Sequence, residues 1–218
     1  MSHAHVLAPR TLSDLIPTPT ERVARITRDV ALVAGFAVLT AVLAQVRFHL
    51  SFTPVPVTGQ TLGVLLAGTG LGWARGGLSQ LVYWVVGIVA PVAWYADDST
   101  GASIAEGWRV ATGTTAGYFV GFVVAAAAVG YLAEKRQDRA LSTSIPAMLA
   151  GTAIVYACGV LWLAHSLDIP VANGEANAIG YGLTPFLIGD TIKLLVAGSL
   201  APLAWKATSR SGSSDRQP

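Results

Sequence analysis

Six apolar stretches run along the chain: Val30–Val46, Gln60–Gly72, Gly77–Val92, Thr112–Ala133, Ile145–Ala164 and Thr184–Trp205. Short segments rich in polar residues, glycine or proline separate them. A helix needs ~20 mostly apolar residues to cross a bilayer, and this pattern predicts six such helices. Stretches two and three are the least regular, because Gly63, Gly68, Gly70, Gly72, Gly76 and Gly77 interrupt them. The expected architecture is an all-α integral membrane protein, a compact bundle of six transmembrane helices. Residues 29–206 form its membrane domain. Residues 1–28 mix prolines, acids and arginines without an apolar core, so they do not read as a signal peptide. The polar tail, residues 207–218, has no apolar periodicity, and both termini are expected to be disordered.

Composition agrees. The 218 residues are 53% hydrophobic and 12% charged, where soluble domains carry roughly 25% charged residues. A net charge of +2 is too small to point to nucleic acid. The single cysteine, Cys158, excludes a disulfide within the chain and reads as a small apolar residue. No internal repeat is apparent, which gives no support to an inverted-repeat carrier.

The basic residues orient the bundle. Arg10, Arg22, Arg25 and Arg28 precede the first stretch, and Arg75 separates the second from the third. Lys135, Arg136 and Arg139 follow the fourth, and Lys206, Arg210 and Arg216 follow the sixth. An even number of spans places all of them, and both termini, on the cytoplasmic side. The other side carries Asp97, Asp98, Glu106, Asp168 and Glu175 against Arg47 and Arg109.

One pair of charges breaks the pattern. Asp190 and Lys193 lie inside the sixth stretch, where nothing else before Trp205 is ionisable. Charges at bilayer depth cost several kcal/mol, so they are rare and usually functional. At i and i+3 the two share a helix face. They either neutralise each other or divide a polar ligand between them.

Catalysis is not signalled. There is no G-x-x-x-x-G-K-[ST], and Lys135, Lys193 and Lys206, the only lysines, follow no glycine loop. H-E-x-x-H and G-x-S-x-G are absent as well, and one intramembrane carboxylate cannot form an aspartyl dyad. No metal or cofactor is implied. The default is a small-molecule site in an apolar bundle with a few convergent polar groups. Lys193 suits a ligand carboxylate and Asp190 suits ligand N–H donors.

Other segments frame that site. Thr53-Pro54-Val55-Pro56-Val57-Thr58 cannot be helical, since its prolines fix an extended backbone. It is expected to form a stiff cover over the mouth of the bundle, with Gln60 and Thr61 facing inward. Trp94, Tyr95 and Trp108 read as interfacial anchors. The stretches 96–109 and 168–181 read as solvated loops, and His165 as an interfacial residue. In the first helix Ala31-x-x-x-Gly35 and Ala37-x-x-x-Ala41 allow close helix approach, either within the bundle or to a separate membrane subunit. Gly113, Gly117 and Gly121 are expected to serve internal packing.

Three ordered motifs resemble one family. Thr53-Pro54-Val55-Pro56-Val57-Thr58-Gly59-Gln60-Thr61-Leu62 is similar to the P-V-P-x-T-x-Q-T-L signature of BioY biotin transporters. Leu66-Ala67-Gly68, Leu71-Gly72 and Arg75-Gly76-Gly77 continue the likeness. Thr112–Phe122 resembles the family's G-x-T-G-G-Y-L-x-G-F block, and Pro185–Lys193 its P-F-x-x-G-D-x-x-K block. The resemblance implies the biotin-binding S component of an energy-coupling-factor transporter in a prokaryotic plasma membrane. Its partners would be a transmembrane coupling subunit and two ATP-binding-cassette ATPases. It implies that Asp190 and Lys193 contact biotin, that Tyr118 and Gly117 line the pocket, and that Thr58 and Gln60 lie at the cover. It makes Arg109 a candidate second cation for the carboxylate, and Ala37 and Ala41 the docking positions for the coupling subunit. Two departures stand out. Ala116-Gly117 replaces the usual Gly-Gly, and the stretch Asp97–Arg109 is longer and more acidic than the pattern. A solitary proton-coupled biotin carrier using Asp190, and a structural subunit whose Asp190–Lys193 pair only fixes helix register, are the alternatives.

Overall fold

The structure is a computed structural model that describes residues 9–89, 94–95 and 103–214, with side-chain exposure described to residue 208. Asp97 and Asp98, with the rest of residues 97–102 of the acidic stretch, lie outside the described residues. Helices α1 (Arg22–Ala44), α2 (Gln60–Leu71), α3 (Trp73–Val89), α5 (Ala116–Glu134), α6 (Leu141–Leu167) and α8 (Leu187–Ser214) correspond to the six apolar stretches. Among the described residues, four helical segments are long and apolar enough to cross a membrane by themselves: α1, α5, α6 and the segment Ala178–Thr208, which holds most of α8. The short apolar helix α2 joins them in the bundle.

Two helices were not expected. Helix α4 (Ile104–Thr112) and the short α7 (Ala178–Gly182) fall in stretches whose polarity reads as loop. Each begins at a side-chain cap: the Ser103 hydroxyl accepts from the Glu106 amide, and Asn177 Oδ1 accepts from the Gly180 amide at 2.7 Å. Such caps satisfy amides that a helix start leaves unpaired.

Helix α2 is the centre of the bundle. It is apolar all round, as a helix buried on every side must be. Most of its residues are enclosed, and α1, α3, α5, α6 and α8 all pack against it. The glycines that make this stretch look irregular allow that packing. A side chain at Gly68 would strike the Ala126 carbonyl and the Gly130 amide of α5, and one at Gly76 would strike the Ala67 carbonyl. Gly72, between α2 and α3, also has φ +85°, which L side chains rarely adopt.

Helix α1 lies at the periphery. Val33, Ala37, Thr40, Ala41 and Ala44 face inward, and Val30, Val38 and Val42 face outward. This phase corrects the docking expectation. Ala37 is 1% exposed and Ala41 6% exposed, because they share a face with Thr40, whose hydroxyl bonds Gln80 of α3. The small residues on the outer face are Ala31, Ala34 and Gly35.

The end of the bundle that holds residues 9–16 and the α5–α6 turn is tied by polar contacts. Residues Leu12–Leu15, within the N-terminal segment expected to be disordered, form a 3-10 turn. Asp14 accepts from the Thr11 and Arg10 amides and from Arg75. Arg28 donates to the Ser13 and Ile16 carbonyls, and Arg139 to those of Pro9 and Arg10. Partial burial alone would raise the Asp14 carboxyl, but the Thr11 amide, Arg75, the Thr11 hydroxyl and the Arg10 amide outweigh it and hold it below the usual range. At the other terminus α8 continues as helix to Ser214, past the point where the polar composition predicts disorder.

Candidate ligand site

The cover is a small hairpin. Strand β1 (Arg47–Phe48) pairs antiparallel with β2 (Val57–Thr58), Arg47 opposite Thr58 and Phe48 opposite Val57. The two prolines between them cannot donate to a ladder, so the pairing stops and the chain arches over the bundle. The Thr53 hydroxyl donates to the Tyr181 carbonyl at 2.6 Å and anchors the arch to the segment before α8. The Gly59 amide donates to Leu43 and Val46, which turns the chain into α2.

Beneath the arch is a cavity of about 430 Å³, within the range of small-molecule sites. Pro54, Val55 and Pro56 form its cover. Tyr95, Phe119, Phe122, Val155 and Phe186 form its apolar walls. Thr58, Gln60, Thr61, Tyr118, Arg109, Asp190 and Lys193 supply polar groups. Six of the seven residues expected to bind ligand therefore converge. Gly117 does not: it faces α6, where a side chain would strike Trp162 and the Cys158 carbonyl. Its lack of a side chain serves helix packing, which the resemblance alone could not separate from pocket lining.

Asp190 is the most connected of these groups. Its Oδ1 accepts from Lys193 Nζ at 2.5 Å and from the Thr61 hydroxyl at 3.0 Å, and its Oδ2 accepts from the Tyr156 hydroxyl at 2.5 Å. Lys193 also donates to the Thr58 carbonyl. The ammonium thus joins the sixth apolar stretch to the cover, across 135 residues of sequence. An ionised carboxylate has about four acceptor sites, and three are taken. The ammonium has three donors, and two are placed. The pair neutralises itself and keeps capacity toward the cavity.

The remaining polar groups are held in place. The Thr58 hydroxyl donates to Gln60 Oε1 and Gln60 Nε2 donates to the Tyr83 hydroxyl, both at 2.6 Å. The Tyr118 hydroxyl donates to the Gly182 carbonyl at 2.6 Å. Its ring lies so close to Gly159, and its hydroxyl to Gly182, that a side chain at either position would overlap it. Arg109 stands on α4, exposed at the rim.

Trp94 and Tyr95 correct the interfacial expectation. Trp94 stacks on Tyr83 with ring centroids 6.0 Å apart, and its indole donates to the Tyr83 carbonyl. Tyr95 packs on Phe119 at 5.0 Å. Both belong to the aromatic core rather than the membrane surface, and Trp108 alone of the three stays exposed. Tyr156 was missed altogether. A phenol in the middle of an apolar stretch needs a partner when buried, and that was the signal available in the sequence.

The fold and cavity define a membrane-embedded small-molecule binding component with no catalytic constellation among the described residues. Comparison with known proteins gives the family. The chain matches the BioY family over residues 12–210. It is 37% identical over 185 residues to the biotin transporter BioY of Rhodobacter capsulatus, covering 80% of this chain and 91% of that one. It is 34% identical to the biotin transporter BioY of Rhizobium etli (80% and 91% covered) and 32% identical to a probable biotin transporter BioY of Pyrococcus horikoshii (80% and 94%). Among solved structures it matches the S-component for biotin from an ECF-type ABC transporter. The TM-score is 0.69 at 19% identity, covering 86% of this chain and 95% of that one, which supports the all-helical fold. The chain belongs to the BioY family, as a multi-pass membrane protein and not an enzyme.

Proposed function

We propose that the chain is the biotin-binding component of a biotin uptake system. The observation that carries this is the Asp190–Lys193 pair, joined to Thr58 and Thr61 at the wall of a closed-over cavity. The names of the relatives, biotin transporters, support it. Biotin is a carboxylic acid with a ureido group bearing two N–H donors. The electrostatic expectation from sequence puts its carboxylate on Lys193. The geometry favours a different cation for the carboxylate, because Lys193 already neutralises Asp190 at 2.5 Å. A second carboxylate there would crowd two anions onto one ammonium. The ureido N–H groups are proposed to meet Asp190 inside, and the carboxylate to lie toward Arg109 at the rim.

The chain has no nucleotide-binding motif, so transport energy would come from separate ATPases through a membrane coupling subunit. That subunit would meet the outer face of α1 at Ala31, Ala34 and Gly35, where close approach is open. The end with the basic loops and both termini would face the cytoplasm.

The test is titration of purified wild type, Lys193→Met and Arg109→Gln with biotin and biotin amide. Arg109→Gln is expected to bind the two ligands alike, and Lys193→Met to bind both more weakly by at least roughly tenfold, the scale of one charge-assisted hydrogen bond. Lost discrimination in Lys193→Met alone would reverse the orientation.

A further inference from the structure

A second cavity, of about 530 Å³, lies between α6 and α8 on the opposite side of Asp190. Its walls are almost wholly apolar, with Leu149, Ala153, Leu161 and Leu187 among them, and these side chains are exposed on the outer surface of the bundle. In a membrane this groove faces hydrocarbon. Among the described residues, only Tyr156 and Asp190 line both the groove and the ligand cavity. Where the cavity and the groove meet, Tyr156 and Asp190 border both, joined by the bond from the Tyr156 hydroxyl to Asp190 Oδ2.

We propose that Tyr156 is a positioning and sealing residue of the ligand site. A carboxylate bordering hydrocarbon is costly unless its oxygens are satisfied. A phenol suits this border, with an apolar ring for the groove and a hydroxyl for the carboxylate. Its bond occupies Oδ2 and fixes the plane of the carboxylate, so that the acceptor site left over points at the cavity. The ring closes the gap that a smaller side chain would leave open to lipid.

The affinity part of the test rests on the biotin reading, and the sealing part does not. Tyr156→Phe keeps the ring and removes the bond. It is expected to weaken biotin binding roughly tenfold or more, as loss of a hydrogen bond to a charged group does, and to cause no further loss in an Asp190→Asn background. Unchanged affinity, or the same fold loss in both backgrounds, overturns the positioning role. For the seal, Thr61→Cys in a Cys158→Ala chain reconstituted in vesicles reports access to the cavity. Tyr156→Ala is expected to speed its labelling by a lipid-soluble maleimide at least tenfold, with Tyr156→Phe unchanged. Equal rates in all three overturn the seal. Wild type that fails to bind biotin counts against the biotin reading, while the labelling result still decides whether Tyr156 seals the cavity.

Discussion

Asp138 and Asp190 are both buried carboxylates, 2% and 5% exposed, and both accept bonds from a neighbouring cation and an aromatic donor. Asp138 takes Arg139 Nε at 3.1 Å and the Trp205 indole N–H at 2.6 Å, and the Arg139 guanidinium lies over the Trp205 ring at 3.2 Å. Asp190 takes Lys193, Thr61 and Tyr156. What separates them is what lies beside the pair. The Asp138 cluster lines neither of the cavities described above, and it ties the α5–α6 turn to α8. The Asp190 cluster borders a cavity of about 430 Å³. An ion pair completed by packing holds two segments together, and the same chemistry beside a void is available to a ligand. Burial pushes the Asp138 carboxyl up, against the opposing effects of Trp205 and Arg139.

Substitutions should separate the two. The largest effect is expected for Asp138→Ala, which strands Arg139 and Trp205. A loss of unfolding stability on the order of 3 kcal/mol is expected, measured by thermal or denaturant unfolding in detergent, with biotin affinity of the remaining folded protein unchanged. Asp190→Asn should do the opposite: more than tenfold weaker biotin binding by calorimetry, with little change in the unfolding midpoint. If both variants lose stability equally, the distinction collapses. Trp205→Phe removes one donor to a carboxylate and keeps the ring under Arg139. It should cost about 1.5 kcal/mol of stability and leave binding intact. The smallest effect belongs to Asp14. Its carboxyl is lowered in the folded chain, so its contribution is present above its unfolded pKa and is lost as pH falls through the folded value. The N-terminal segment should therefore stay docked at neutral pH and become protease-sensitive below roughly pH 4. Protection that persists at lower pH in wild type and Asp14→Asn alike would remove Asp14 from that role.

The contrast also explains what could be read from sequence. Asp190 and Lys193 stood out because apolar residues surround them along the chain. Asp138 did not, since Lys135, Arg136 and Arg139 around it look like any solvated turn. Its burial depends on Trp205, 67 positions away. Six helical stretches are legible from hydropathy, and α4 and α7 are not, because polar residues dominate their stretches. Ala37 and Ala41 were legible as close-packing residues but not as inward-facing ones. Spacing gives the face of a helix, and only the positions of the neighbouring helices say which way that face turns.

The Asp190 cavity is proposed here as the biotin site. Isothermal titration of the purified chain with biotin, run beside Asp190→Asn and Asp138→Asn, tests it most directly. Saturable binding at one site per chain in wild type and Asp138→Asn, weakened more than tenfold in Asp190→Asn, is the predicted result. No saturable binding in wild type, or equal affinity in all three, would contradict it.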